Sequence, residues 1–332
     1  MHPIHNERYD WVDAIKGVGI ALVVLGHAVR GIHQAGLMNE GLFAAIDTRI
    51  YAFHMPLFFF LSGFFLTASF VTASAASFLR TRTTQRLYPM VLWTYIFLGC
   101  KNLAGNMTNT PVTPSDLAVF PVPGYLHFWF LWTLIVVQMI GFAIAKSVPS
   151  KHRQKWPYIA VAVAISVYAI DPQLTSVPQI IRPYFGQASR YAMYVFAGAV
   201  FFPMLHAVSI SKTNSLWAGA LFLLLFLATP TLLKSGIPKF LVASALSICL
   251  VLCVRGWKSE NTDLLPLLGV ASLSIYVTHT IVSAAFREFA IMLELTNTTV
   301  HVLGGTVVGV VIPFWAYRLA KRRGIAQYLG WK

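Results

Sequence analysis

Ten apolar stretches run along the chain, near residues 11–33, 42–71, 86–101, 127–146, 157–170, 189–207, 215–233, 238–254, 264–287 and 299–319. A helix needs roughly 20 mostly apolar residues to cross the hydrocarbon core of a bilayer, and most of these stretches reach or approach that length. The pattern predicts an all-α, polytopic bundle of about ten transmembrane helices, with residues 1–332 forming a single domain. The fifth stretch is the weakest of the ten. The first follows a charged, His-containing N-terminus and continues without a small-residue cleavage site, which predicts a retained helix and not a signal peptide. The longest polar connection, about 102–126, is rich in Asn, Thr and Pro and reads as an extracytoplasmic loop, a candidate lid or binding loop.

Composition agrees with a bilayer environment. Of 332 residues, 57% are hydrophobic and 11% charged, against about 25% charged in a soluble domain. The net charge of +14 invites a nucleic-acid reading, but the cations sit in connections between apolar stretches. Arg80, Arg82 and Arg86, then Lys146, Lys151, Arg153 and Lys155, then Lys212, then Arg255 and Lys258, then Arg318, Lys321, Arg322 and Arg323 occupy alternate connections. The positive-inside rule places these in the cytoplasm, which predicts an even number of spans with both termini cytoplasmic. Charge of this kind serves topology, so nucleic acid is not an expected partner. The protein is expected in a bacterial inner membrane. Cys100, Cys249 and Cys253 lie in or beside apolar runs without partners at zinc spacing, so packing is their expected role and no metal is expected.

Ionisable side chains inside spans are costly and call for a partner or a function. In the first stretch, Lys16 and His27 are eleven residues apart. At about 100° per residue they return to one face, separated by about 16 Å along the axis. Lys16, with Asp13 beside it, belongs near the cytoplasmic mouth, and His27 most of the way across. A snorkelling Lys16 and a packed core His27 are the plain alternatives. The second stretch carries Asp47, Arg49 and His54, then Pro56, Ser62 and Gly63. Asp47 and Arg49 are badly spaced for each other, so separate partners are expected. Pro56 is expected to break the helical ladder and expose backbone groups to an internal cavity. His279, in Ser274-Ile-Tyr276-Val-Thr278-His279, is placed at a depth similar to that of His27, so the two are expected to face one cavity. His127, Trp129 and Trp132 open the fourth stretch, either as an interfacial belt or as a platform for a sugar ring. Arg182 and Arg190, on the same side, suit acceptor hydroxyls, a lipid phosphate or simple anchoring. No carboxylate is expected at mid-membrane, which argues against a proton-coupled transporter. A neutral buried histidine remains able to act as a general base.

The stretch Tyr9-Asp-Trp-Val-Asp13-Ala-Ile-Lys16-Gly17-Val-Gly-Ile-Ala-Leu-Val-Val-Leu-Gly-His27 resembles the opening of the membrane acyltransferase family three, with a basic residue, ten residues and then His. Phe53-His54-Met-Pro56-Leu-Phe-Phe-Phe-Leu-Ser62-Gly63-Phe, Phe128-Trp129-Phe130-Leu131 and Ser274 to His279 are similar to later segments of the same family, in its order. The wording is closest to the fucose 4-O-acetylase-like branch. The family's basic triplet before the third helix is spaced differently here, as Arg80, Arg82 and Arg86. The resemblance implies an acyl donor, acetyl-CoA above all, arriving from the cytoplasm, and a carbohydrate or glycolipid acceptor on the outer side. Lys16, Asp13, Arg82 and Arg86 would then form the donor mouth, and His54, Trp129, His127, Arg190, Asp47 and Arg49 the acceptor side. His27 would take the hydroxyl proton, with His279, Ser62 or Tyr276 steadying the oxyanion. A covalent acyl-histidine is the other route. The rivals from other classes are a transporter or flippase and an inert membrane scaffold.

Overall fold

The computed structural model describes residues 9–112, 124–170, 182–256 and 264–331. All regular structure among them is helical. In chain order the α-helices are α1 (Asp10–Gln34), α2 (Glu40–Gly63), α3 (Leu66–Thr72), α4 (Ala75–Arg82), α5 (Tyr88–Ala104), α6 (Trp129–Ser147), α7 (Trp156–Ile170), α8 (Arg182–Ala207), α9 (Lys212–Lys234), α10 (Lys239–Gly256), α11 (Leu264–Val270), α12 (Ser272–Met292) and α13 (Thr298–Arg322). Each of the ten apolar stretches becomes helical. Six of these helices are long and apolar enough to cross a membrane, and eight crossings result if two bent pairs each count as one. The helices α5 and α7 are shorter, and α7 runs up to the edge of the described residues.

Two stretches predicted as single helices are broken. The second bends by 41° between α2 and α3, and the ninth by 83° between α11 and α12. Pro56, the expected breaker, lies inside a continuous α2, and the bend falls at Phe64–Phe65 instead. A proline forfeits one N–H and strains its own turn, which close packing on both sides can hold straight. That packing is visible here. Gly63 lies directly on the Val195 carbonyl and Gly198 on the Phe60 carbonyl, so α2 and α8 meet backbone to backbone.

At the centre is α1, packed against α2, α11, α12 and α13. The short α11 turns across its first turns, where Gly17 abuts the Leu265 carbonyl and Gly269 abuts the Asp13 carbonyl. Side chains larger than hydrogen would hold these backbones apart. Because the 264–270 segment does not run along the span, His279 lies seven residues into α12, not at the end of one long rod. An apolar core of Ile15, Ile20, Val24, Leu57, Phe59, Phe128, Val137, Val195, Ile275 and Val277 fills the space among α1, α2, α6, α8 and α12.

Basic residues gather at one end of the bundle. There Arg255 donates to the His206 carbonyl at 2.8 Å and lies 5.5 Å over the Trp11 ring, and Lys146 reaches the Val71 carbonyl at 3.5 Å. At the other end of α1, Asn109 donates to the Gly31 carbonyl at 3.0 Å. That contact ties down the described beginning of the predicted 102–126 loop, whose residues 113–123 lie outside the described set.

Candidate functional site

Inside the bundle three histidines from three helical segments converge. His27 projects from α1, His127 from the 3-10 turn Leu126–Phe128 that opens α6, and His279 from α12. Their ring centroids are 5.1 Å apart for His27 and His279, 5.8 Å for His27 and His127, and 5.7 Å for His127 and His279. His127 and His279 are buried, whereas His27 keeps accessible surface although it is enclosed by aromatic rings. The expectation that His27 and His279 face one space agrees with this arrangement. His127 is in the cluster and not in an interfacial belt, because the 3-10 turn rotates it inward against Phe97 and Phe128.

The hydrogen bonds around the cluster assign chemistry to it. His279 Nδ1 lies 3.0 Å from the Ile275 carbonyl oxygen and 2.8 Å from that of Tyr276. A carbonyl only accepts, so Nδ1 carries the proton and Nε2 presents a lone pair. That Nε2 is buried and has no hydrogen-bond partner. Tyr276 donates its hydroxyl to the His127 carbonyl, and His127 Nε2 is 3.5 Å from Thr280 Oγ1. Ser62 donates to the Phe59 carbonyl at 2.7 Å, within its own helix and two turns past His54. Both hydroxyls named as oxyanion donors are thus committed to backbone carbonyls, and neutral His279 offers an acceptor and not a donor.

On the side of His27 toward the C-terminal end of α1, Arg30 clamps Asp47 through two bonds, Nε to Oδ1 at 2.6 Å and Nη2 to Oδ2 at 3.1 Å. Its guanidinium also sits 3.2 Å above the Tyr51 ring. Tyr51 stands between His27 at 6.3 Å and His54 at 4.5 Å. His54 has its Nδ1 held at 2.7 Å by the Ile50 carbonyl and is buried. Arg49 takes different partners, donating to the Ala45 carbonyl at 2.6 Å and the Leu227 carbonyl at 3.1 Å. Asp47 and Arg49 therefore do have separate partners. Trp129 packs on Tyr191 at 5.3 Å and Phe59 at 6.0 Å, next to exposed Arg190. The side chain of Arg182 lies outside the described set.

At the basic end Lys16 is 3.3 Å from Asp13 Oδ1. Arg82 is buried, stacked 4.8 Å over Phe78 and 5.9 Å over Phe70. Burial lowers its guanidinium to about 10, so it is still protonated at neutral pH. Arg82 Nε and Arg86 Nη1 are both buried without a hydrogen-bond partner. Arg86 lies on a π-helical turn, Thr83–Leu87, a distortion that recurs at functional sites. Two buried, unpaired guanidinium nitrogens on adjacent turns have the chemistry to receive an anion. Lys16 lies on α1, Arg82 on α4 and Arg86 on the π-helical turn, so three elements supply these cations.

Arg30 and Tyr51 escaped the sequence reading. Both carried a signal: Arg30 is one turn beyond His27, and Tyr51 lies one turn from Asp47 and one from His54. Among the described residues no group of His, Cys, Asp and Glu has the geometry to hold a metal ion.

A helical bundle with inward-facing histidines and basic residues gathered at one end is the architecture on which comparison with known proteins bears. The family described as the acyltransferase domain matches residues 9–318, and the chain belongs to it. The nodulation protein NolL of Sinorhizobium fredii is 29% identical over 181 residues, covering 54% of this chain and 48% of that protein. NolL of Mesorhizobium japonicum is 26% identical over 182 residues, covering 54% and 47%. The match thus spans about half the length of these curated relatives. No solved structure matches the chain.

Proposed function

We propose that this protein is a membrane-embedded O-acyltransferase that moves an acetyl group from cytoplasmic acetyl-CoA to a hydroxyl of a carbohydrate or glycolipid acceptor. The observation that carries the reading is His27, which keeps accessible surface in the interior of the bundle beside the unpaired Nε2 of His279. Membership of the acyltransferase family and the partial similarity to NolL support the same class of reaction.

The donor side is read from the basic end. Arg82 and Arg86, with unpaired guanidinium nitrogens, receive the phosphates of coenzyme A, and Lys16 with Asp13 borders the way in. The pantetheine arm then spans the roughly 16 Å along α1 that separates Lys16 from His27. The acceptor enters from the opposite end, past Trp129, Arg190 and the Arg30–Asp47 pair, toward His54 and His127. The attacking hydroxyl gives its proton to His27, and its oxygen forms a bond to the thioester carbon. His279 Nε2, unpaired and on a ring 5.1 Å from that of His27, would accept a hydrogen bond from the imidazolium as it forms, as a carboxylate does in many triads. On collapse, the coenzyme A thiolate leaves and recovers the proton. In this reading α5 and α7 also span, which makes ten crossings in an inner membrane with both ends of the chain in the cytoplasm.

The test is His27→Ala, assayed in membranes at matched protein level with radiolabelled acetyl-CoA. A fall in acceptor-dependent transfer of about 100-fold or more is expected for a lost general base. Turnover equal to that of the unmodified protein would remove His27 from the chemistry.

A further inference from the structure

The tetrahedral intermediate of acyl transfer puts negative charge on the former thioester carbonyl oxygen, and that charge needs a donor held ready for it. Around His27 the hydroxyls of Tyr276 and Ser62 already donate to backbone carbonyls, and Nε2 of neutral His279 has no proton to give. Thr280 Oγ1 lies 3.5 Å from His127 Nε2, which leaves one hydroxyl beside His27 among the described residues. Tyr51 Oη is buried and its proton has no acceptor, and its ring centroid is 6.3 Å from that of His27. The Arg30 guanidinium above the ring carries donors only, so it cannot take the phenol proton. A buried O–H with nothing to donate to is unfavourable unless a ligand completes it.

We infer that Tyr51 is the catalytic oxyanion donor, its O–H bonding the thioester oxygen as the acceptor attacks, and that Arg30 and Asp47 are positioning residues that hold its ring. This rests on the acyltransferase reading above. The hydroxyl oxygen of the acceptor bonds to the thioester carbon while the carbonyl π pair moves onto oxygen, which accepts the Tyr51 hydrogen bond without receiving its proton. His27 takes the acceptor's proton. When the C–S bond breaks, the oxygen's pair returns, the thiolate takes the proton from imidazolium, and ester and coenzyme A thiol are the products. The structural preparation is specific. Arg30, one turn above His27, covers the ring face, and Asp47 clamps Arg30 from one turn before Tyr51. Gly26 permits the approach, since a Cβ there would come within 3.0 Å of the Tyr51 ring edge. The same cation adds positive potential beside the developing charge.

The experiment compares the full chain with Tyr51→Phe and His27→Ala in native membranes. Release of coenzyme A from acetyl-CoA is measured with methyl fucoside as acceptor probe and with water alone, together with thermal midpoints in detergent. The expected result is a kcat for Tyr51→Phe lower by about 100-fold, with the KM for acetyl-CoA within threefold of the original and a midpoint equal or higher, because an unpaired buried hydroxyl has been deleted. A 3-fluorotyrosine at position 51, which restores the hydroxyl, returns kcat to within about fivefold. If the unmodified protein turns over above the His27→Ala level and Tyr51→Phe stays within threefold of it, Tyr51 is not the donor and the acyltransferase reading stands. A lowered midpoint that fluorotyrosine repairs without restoring turnover makes the residue structural and overturns the inference. No turnover above His27→Ala by the unmodified protein overturns the parent reading, and this one with it.

Discussion

The crossing of α1 and α11 offers a prediction whose size follows from the structure. A methyl group added at Gly17 would lie 2.9 Å from the Leu265 carbonyl carbon and 3.2 Å from its Cα, and closer still to its oxygen. At Gly269 it would lie 2.6 Å from the Asp13 carbonyl carbon and 2.9 Å from its Cα. Carbon atoms prefer separations of about 3.5–4.0 Å, so either alanine forces the helices apart by roughly 1 Å, and backbone cannot rotate away as a side chain can. Overpacking of this kind costs about 1–3 kcal/mol, which for a chain of this size corresponds to a midpoint lower by about 4 °C. The two clashes are relieved by one displacement. In Gly17→Ala, Gly269→Ala the second methyl should therefore add little, with a coupling of about 1–2 kcal/mol. Midpoints of the two single variants and the double, measured by fluorescence size exclusion after heating, form the cycle. Strict additivity, or single variants that melt with the original protein, would mean that the two helices do not touch as described.

Three further outcomes can be checked. His279→Asn keeps an N–H donor for the Ile275 and Tyr276 carbonyls while deleting Nε2. It should leave the thermal midpoint unchanged and lower kcat about 10-fold or more, as for removal of an orienting partner, and retained kcat in membrane assays would deny that atom a role. Arg82→Met and Arg86→Met, singly, should each raise the KM for acetyl-CoA about 10- to 100-fold, the scale of one charge-assisted hydrogen bond; unchanged KM in both would place the phosphates elsewhere. Gly63→Ala, set against the Val195 carbonyl, should melt lower than the original protein by a few degrees, as overpacking requires. A midpoint equal to the original would mean that α2 and α8 are not in backbone contact.

Helices were legible in the sequence because bilayer thickness imposes a length that no neighbouring contact overrides, and each predicted stretch is helical in the structure. The breaks were not, since a bend is decided by what a helix packs against. Pro56 announces a kink and α2 runs straight through it, while the real bends at Phe64–Phe65 and Ala271 follow glycine-mediated contacts with α8 and α1. Periodicity placed Lys16 and His27 on one face, yet it had no means of bringing a 3-10 turn at residues 126–128 inward, which is how His127 joins the cluster.

The largest gap between sequence and structure concerns hydrogen-bond bookkeeping. A sequence shows that Ser62, Tyr276 and Tyr51 each own a hydroxyl, but only coordinates show which are already spent. Ser62 and Tyr276 stand in segments that resemble family motifs, and both are engaged with backbone carbonyls. Tyr51, lying outside the quoted motifs, is the one of the three whose proton has no acceptor, and it stands beside His27. The same logic applies to His279, whose candidacy rested on depth while its chemistry rests on two carbonyls one turn behind it. Those carbonyls fix which nitrogen holds the proton, and so they decide that this histidine receives hydrogen bonds in its neutral form. A buried polar atom without a partner is unfavourable. Two such groups border the proposed reaction path, the Tyr51 hydroxyl and Arg86 Nη1, and in the proposed reaction the substrates supply what the protein withholds.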